Sequence, residues 1–169
     1  MPDPGARGTA DAPLVIGLIS DTHGQVRADV HRALAGVSLI LHAGDVCGDE
    51  VLMELDLIAP TLAVYGNCDD PSTPRLGWRI ARVHGGVRIH VSHGHELGVP
   101  TVPRLLAAYD ADVIVYGHTH RPLIAREGSR LVVNPGAAGP RRFDLVPSVG
   151  RLTISPSGAV DVELVELAY

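Results

Sequence analysis

Apolar runs and polar breaks alternate along this chain, and the rhythm changes once, near Pro74. Before that point a strand-like run at 14–19 gives way to helical spacing at 25–35, a run at 38–42, helical spacing at 49–58 and a run at 61–65. Strands alternating with helices predict parallel pairing. Beyond Pro74 the pattern predicts a strand at 78–83, a Gly85-Gly86 hairpin turn and a strand at 87–92, so antiparallel pairing enters there. A helix at 101–108, a strand at 112–116 and strands at 122–126, 130–133, 149–154 and 159–166 complete the reading. Most of these strands are nearly continuous apolar runs, which fits sheets covered on both faces, here two sheets with helices outside. The first thirteen residues lack periodicity and are expected to form a flexible tail, leaving 14–169 as a single domain.

Composition narrows the picture. A chain of 169 residues that is 46% hydrophobic and only 4% aromatic fills one core with aliphatic side chains. No apolar run reaches the roughly 18 residues of a membrane span, and the N-terminus lacks a signal-peptide core, so a cytoplasmic protein without membrane contact is expected. Two cysteines, Cys47 and Cys68, are too few for a disulfide framework. A net charge of -5 argues against a duplex nucleic-acid surface and leaves a small phosphorylated substrate open.

Five short motifs carry the candidate chemistry: Asp21-Thr-His23, Gly44-Asp45, Gly66-Asn67, His93-Gly94-His95 and Gly117-His118-Thr-His120. Each follows a predicted strand, at the edge where loops from separate strands of an α/β sheet converge. Asp21 and His23, two apart on an extended strand end, would face the same side. Asp45 leaves a buried strand, where an uncompensated carboxylate is costly. Asn67 offers a neutral oxygen, and His93, His118 and His120 offer imidazole nitrogen. Singly, each has a structural alternative. Asp21 and Asp45 suit helix caps and Asn67 suits a turn. His31, His42, His84 and His90 read as packed or surface histidines, and Arg141-Arg142 reads equally as a phosphate clamp or a solvated pair.

The ordered set of D-T-H, G-D-V, G-N-C-D, H-G-H and G-H-T-H resembles the calcineurin-like metallophosphoesterases, and most closely their small YfcE-like phosphodiesterases. The likeness extends to Asn134-Pro135-Gly136 and the G-P-R-R-F stretch at 139–143. It implies a four-layer α/β/β/α sandwich with two mixed β-sheets and a two-metal site at one edge. Asp21, His23 and His120 would then hold one ion and Asn67, His93 and His118 the other, with Asp45 bridging. Such a centre would hydrolyse phosphodiesters of a small substrate through a hydroxide shared by two divalent ions, with Asp45, Asn67 and His93 closest to the chemistry. Arg141, Arg142 and His95 are the candidate substrate contacts. Mn²⁺ is the first choice of ion, with Fe²⁺, Ni²⁺ or Zn²⁺ as alternatives. Larger relatives read G-N-H where this chain has Cys68, so a strong general acid is missing there and Asp69 or a water would have to substitute. A phosphomonoesterase, a non-catalytic scaffold resembling a retromer subunit, and a nuclease are the competing readings. A homo-oligomer is compatible with the resemblance.

Overall fold

The computed structural model describes residues 12–142 and 144–168. The expected tail therefore lies almost wholly outside the described residues, as does Phe143 of the G-P-R-R-F stretch. Two β-α units and a third strand open the fold. Strand β1 (Leu14–Ile19) leads to helix α1 (Ala28–Ala33), β2 (Leu39–His42) to α2 (Asp49–Asp56), and β3 (Thr61–Val64) to the two-residue strand β4 (Leu76–Gly77). Strand β5 (Arg79–His84) and β6 (Val87–Ser92) form the expected hairpin, with both turn glycines at positive φ as a primed two-residue turn requires. Helix α3 (Val102–Ala108), β7 (Val113–Val115), β8 (Leu123–Glu127), β9 (Arg130–Asn134), β10 (Ser148–Ile154) and β11 (Val160–Glu166) follow.

The strands build two mixed sheets, ordered β11-β10-β1-β2-β3-β4 and β5-β6-β7-β9-β8. β1, β2 and β3 run parallel in the first sheet, and β6, β7 and β9 run parallel in the second. Three apolar layers glue the molecule. Ile19, Ile40, Val30, Leu34, Leu52 and Leu55 fill the space between the first sheet and α1 and α2. Ile16, Leu18, Leu41, Val91, Val113 and Val133 meet between the sheets, and Leu105, Ile114 and Val132 pack the second sheet on α3. Successive residues of one strand, such as Leu18 and Ile19, thus enter different layers, which is why these strands read as unbroken apolar runs. The four-layer α/β/β/α arrangement with two mixed sheets is the one expected.

Differences are local. The first helix is shorter than 25–35 because Gln25 N–H bonds back to Thr22 and closes a turn, while Gly36 at φ 82 ends the helix. Strand β4 was not foreseen; two residues carry no periodicity, and only their pairing with β3 defines them. Among the described residues, no helix is long and apolar enough to cross a membrane.

Candidate metal centre

The motifs leave the carboxyl ends of β1, β2, β3, β6 and β7, and the two sheets bring those ends to one edge of the sandwich. The backbone there is unusual. Among the described residues, the non-glycine positions at positive φ are Asp21, His23, Asp45, Cys47, His118 and His120. Their φ values, from 46° to 70°, fall in the left-handed region that side chains enter at a cost. Asp21 and His23 are therefore not on an extended strand end, contrary to the sequence reading. Both sit in left-handed turns with Thr22 between them, and Asp45/Cys47 and His118/His120 repeat the spacing.

Neighbouring loops hold this backbone in place. Asp21 N–H donates to Gly44 O, His23 N–H to Asp45 O, Gly24 N–H to Val46 O, and Gly117 N–H to His93 O. The glycines that precede the candidate ligands supply room. A Cβ on Gly66 would collide with the Asp45 carboxylate, and one on Gly117 with Ser20 Oγ and Asp21 Oδ2.

The side chains then converge. His23 Nε2 lies 3.4 Å from His120 Nε2 and 3.8 Å from Asp21 Oδ1, and His120 Nε2 lies 3.2 Å from the same Asp21 oxygen. On the other side, Asn67 Oδ1 is 3.1 Å from His93 Nε2 and 3.2 Å from His118 Nδ1. Asp45 Oδ2 reaches both groups, at 3.6 Å from His23 Nε2 and 3.4 Å from His93 Nε2. Its other oxygen accepts the Cys68 N–H at 2.9 Å. His93 Nδ1 sits 2.7 Å from Ala43 O, so it carries the proton and leaves Nε2 facing the cluster. Asp21 Oδ2 accepts from Ser20 Oγ and His118 N–H, yet Asp21 Oδ1 is buried with no hydrogen-bond partner. A buried carboxylate oxygen left unsatisfied is expensive unless a cation meets it. The sets Asp21/His23/His120 and Asp21/Asp45/His93 each offer ligand atoms within 4.8 Å of one another, so the residues present fit divalent ions.

Electrostatics agree with that geometry. Burial opposes the charge on Asp45, but the hydrogen bond and charge of His93 and the Cys68 amide outweigh it and hold this carboxyl well below the usual range. Burial likewise pulls His93 down, while Asp45 and Asp21 together carry it above its ordinary value. His23 and His118 are lowered chiefly by burial, which favours the neutral imidazole that coordinates.

The remaining candidates divide. The His95 ring stands 5.3 Å from His93 and 6.3 Å from His118, with Nδ1 buried, without a hydrogen bond and 3.8 Å from Glu96 Oε2, so it belongs to the cluster's rim. Arg142 lines a cavity of about 250 Å³ with His118, Thr119 and His120, and its charge bears on His23. Arg141 lies beside His120 in a smaller recess with Ala137 and Pro140. Asp69 has a bracing place in the structure. Its oxygens accept the amides of Val46, Cys47 and Gly66, which ties the second and third loops together.

Sequence reasoning gave no role to two further supports. His42 Nδ1 accepts Gly44 N–H at 3.1 Å, and Nε2 lies 3.0 Å from Thr22 Oγ1, which in turn donates to Val46 O. Asn134 binds Gly117 O and Thr119 Oγ1 through its Nδ2, bracing the G-H-T-H loop. The polar residue in an apolar run, His42, and the quoted Asn134-Pro135-Gly136 were the available signals.

Comparison with known proteins places the chain in a family. Residues 14–157 match the calcineurin-like phosphoesterase superfamily domain. A probable metallophosphoesterase of Methanothermobacter thermautotrophicus is 35% identical over 156 residues, covering 83% of this chain and 81% of that one. The phosphodiesterase YfcE of Escherichia coli is 34% identical over 83 residues, which are 45% of this chain and 43% of the relative. Among solved structures, Vps29 of Entamoeba histolytica complexed with Zn²⁺ superposes with a TM-score of 0.73 at 26% identity, covering 90% of this chain and 99% of that one. The chain belongs to the calcineurin-like phosphoesterase superfamily.

Proposed function

We propose that this protein is a binuclear metal-dependent phosphodiesterase acting on a small substrate. The observation that carries the reading is the placement of Asp45 Oδ2 within 3.6 Å of imidazole nitrogens on both sides of the cluster, beside the buried Asp21 Oδ1, which has no hydrogen-bond partner. Asp21, His23 and His120 would hold one ion and Asn67, His93 and His118 the other, with Asp45 shared. Divalent ions bound there supply Lewis acidity toward phosphoryl oxygens and lower the pKa of a coordinated water.

The chain's own residues do the rest. Burial favours the neutral, coordinating ring at His23 and His118, and the Ala43 carbonyl holds the His93 Nδ1 proton so that Nε2 faces the site. Arg142, at the cavity beside His118 and His120, supplies a guanidinium for a non-bridging phosphate oxygen. His95 and Arg141 flank the same edge. A carboxylate, amide and imidazole set suits Mn²⁺ first, with Fe²⁺, Ni²⁺ and Zn²⁺ as competitors.

A diester is favoured over a monoester because relatives carry the name phosphodiesterase and because position 68 lacks the histidine that would protonate a poor leaving group. The scaffold alternative draws on Vps29 as a structural neighbour, but here every proposed ligand position holds a competent side chain.

The test is hydrolysis of a chromogenic phosphodiester, and of the monoester with the same leaving group, by metal-stripped protein reloaded with Mn²⁺. Diester turnover should require Mn²⁺. Asp45→Ala should lower it by at least the ~10²–10³-fold that loss of one charge-stabilising donor costs in other enzymes, and should reduce the bound metal. Faster monoester turnover would make the protein a phosphatase, and inactivity despite two bound ions would favour a scaffold.

A further inference from the structure

Cys68 follows Asn67 in the third motif, and its thiol lies among the candidate ligands. One ligand atom each from His23, Asp45 and Cys68 lie within 4.8 Å of one another, the same spacing that marks the carboxylate and imidazole sets. The Cys68 backbone is anchored to the site, since its N–H donates to Asp45 Oδ1, and its side chain is exposed at the rim. Cys47 is placed differently. Its sulfur lies 3.8 Å from His23 Nδ1, behind the imidazole, and it is not part of that set. Both thiols border an open recess of about 290 Å³ lined also by Val46, Gly48 and Asp69.

Resting on the metal-centre reading above, we propose that Cys68 is a ligand for soft divalent ions, making with His23 and Asp45 a thiolate-bearing site that hard ions do not use. Zn²⁺, Cd²⁺ and Co²⁺ accept mixed sulfur, nitrogen and oxygen donors, commonly three from the protein with a fourth position open. Mn²⁺ prefers oxygen and nitrogen and has no use for the sulfur. Coordination forms the sulfur–metal bond and releases the thiol proton to solvent. Because His23 and Asp45 are shared, a soft ion bound through Cys68 competes with a hard ion for the same two residues. The softness of the ion thus selects the ligand set.

The experiment titrates the metal-stripped full chain with Co²⁺ and records the thiolate-to-cobalt charge-transfer absorption in the near ultraviolet. Wild type and Cys47→Ser should both show the band, and Cys68→Ser should lack it. Cys68 is exposed, so its substitution does not threaten folding. Calorimetry in buffers of different ionisation enthalpy should register one proton more released by wild type than by Cys68→Ser on binding Cd²⁺. Cd²⁺ affinity should fall at least as far as the ~10–100-fold that loss of an outer partner costs a metal site, with Mn²⁺ affinity unchanged. Cobalt bound without the band, or a band that survives Cys68→Ser, would overturn the thiolate ligand alone, since Mn²⁺ binding would still support the binuclear reading. Failure to bind any of these ions would overturn both.

Discussion

His42 shows how much of this site depends on a residue that touches no proposed ion. Its two nitrogens have fixed duties: Nδ1 accepts from Gly44 N–H, and Nε2–H is left to donate to Thr22 Oγ1. Only the neutral ring satisfies both. Burial dominates and lowers its pKa from 6.5 to about 4. The unfolded chain binds this proton more readily than the folded one, so stability is full above pH 6.5 and declines as pH falls toward 4. That shift predicts a loss of about 2 kcal/mol between roughly pH 7.5 and 5. His90, held down mainly by burial to about 4 while stacked on Tyr109 at 3.7 Å, acts in the same window. Urea unfolding at both pH values should show the loss. In His42→Phe the acid decline should shrink, while stability at neutral pH drops by about 1–3 kcal/mol because Gly44 N–H and Thr22 lose their partner. An unchanged decline in the variant would show that His42 is not its source. At this scale the sequence exposed the ligand types but not their supports. His42, Asp69 and Asn134 carry ordinary residue signals, and their partners lie on other loops.

Among the elements, the inner strands were legible because their apolar runs are buried on both faces, and their ends were legible because glycine and a polar residue interrupt the run. What could not be read was the conformation after each strand. The i, i+2 pairs Asp21/His23 and His118/His120 meet through left-handed turns and not through strand pleating, and hydrogen bonds to neighbouring loops and strands hold those turns. The glycines before the ligands are a more informative signal than their usual association with turns suggests. Gly66 leaves space for the Asp45 carboxylate, and Gly117 for Ser20 and Asp21. Gly66→Ala should therefore push Asp45 aside, lowering Mn²⁺ affinity and diester turnover together. Gly86→Ala offers a control for glycine loss at a hairpin, because no atom lies within 4 Å of an added Cβ there. It should lose some stability from its positive φ and keep its Mn²⁺ affinity. Equal losses of affinity in both variants would contradict the close-approach explanation.

Across the whole molecule, five strand ends from two sheets must stay in register for the cluster to exist, and the layers between and around those sheets supply that rigidity. Fold and metal centre are thus unequal partners in stability. The apolar layers do not need an ion to pack, whereas the edge gathers five left-handed residues proposed as ligands, Asp21 and Asp45 among them, with one carboxylate oxygen unsatisfied. Without an ion, the chain should fold with its secondary structure intact and its edge loops destabilised. With one, binding to the folded state alone should add about 2.7 kcal/mol at a hundredfold excess over Kd. For a domain of this size that corresponds to a rise in Tm of roughly 5–10 °C. Thermal unfolding followed by circular dichroism, with chelator and then with Mn²⁺, measures it directly. Asp21→Ala should cancel most of the rise, because it removes the orphaned oxygen that makes the ion-free centre costly, and should leave the far-ultraviolet spectrum unchanged. A chain that unfolds on metal removal would show instead that the ion organises the sandwich itself, and a Tm indifferent to Mn²⁺ would contradict a metal at this edge.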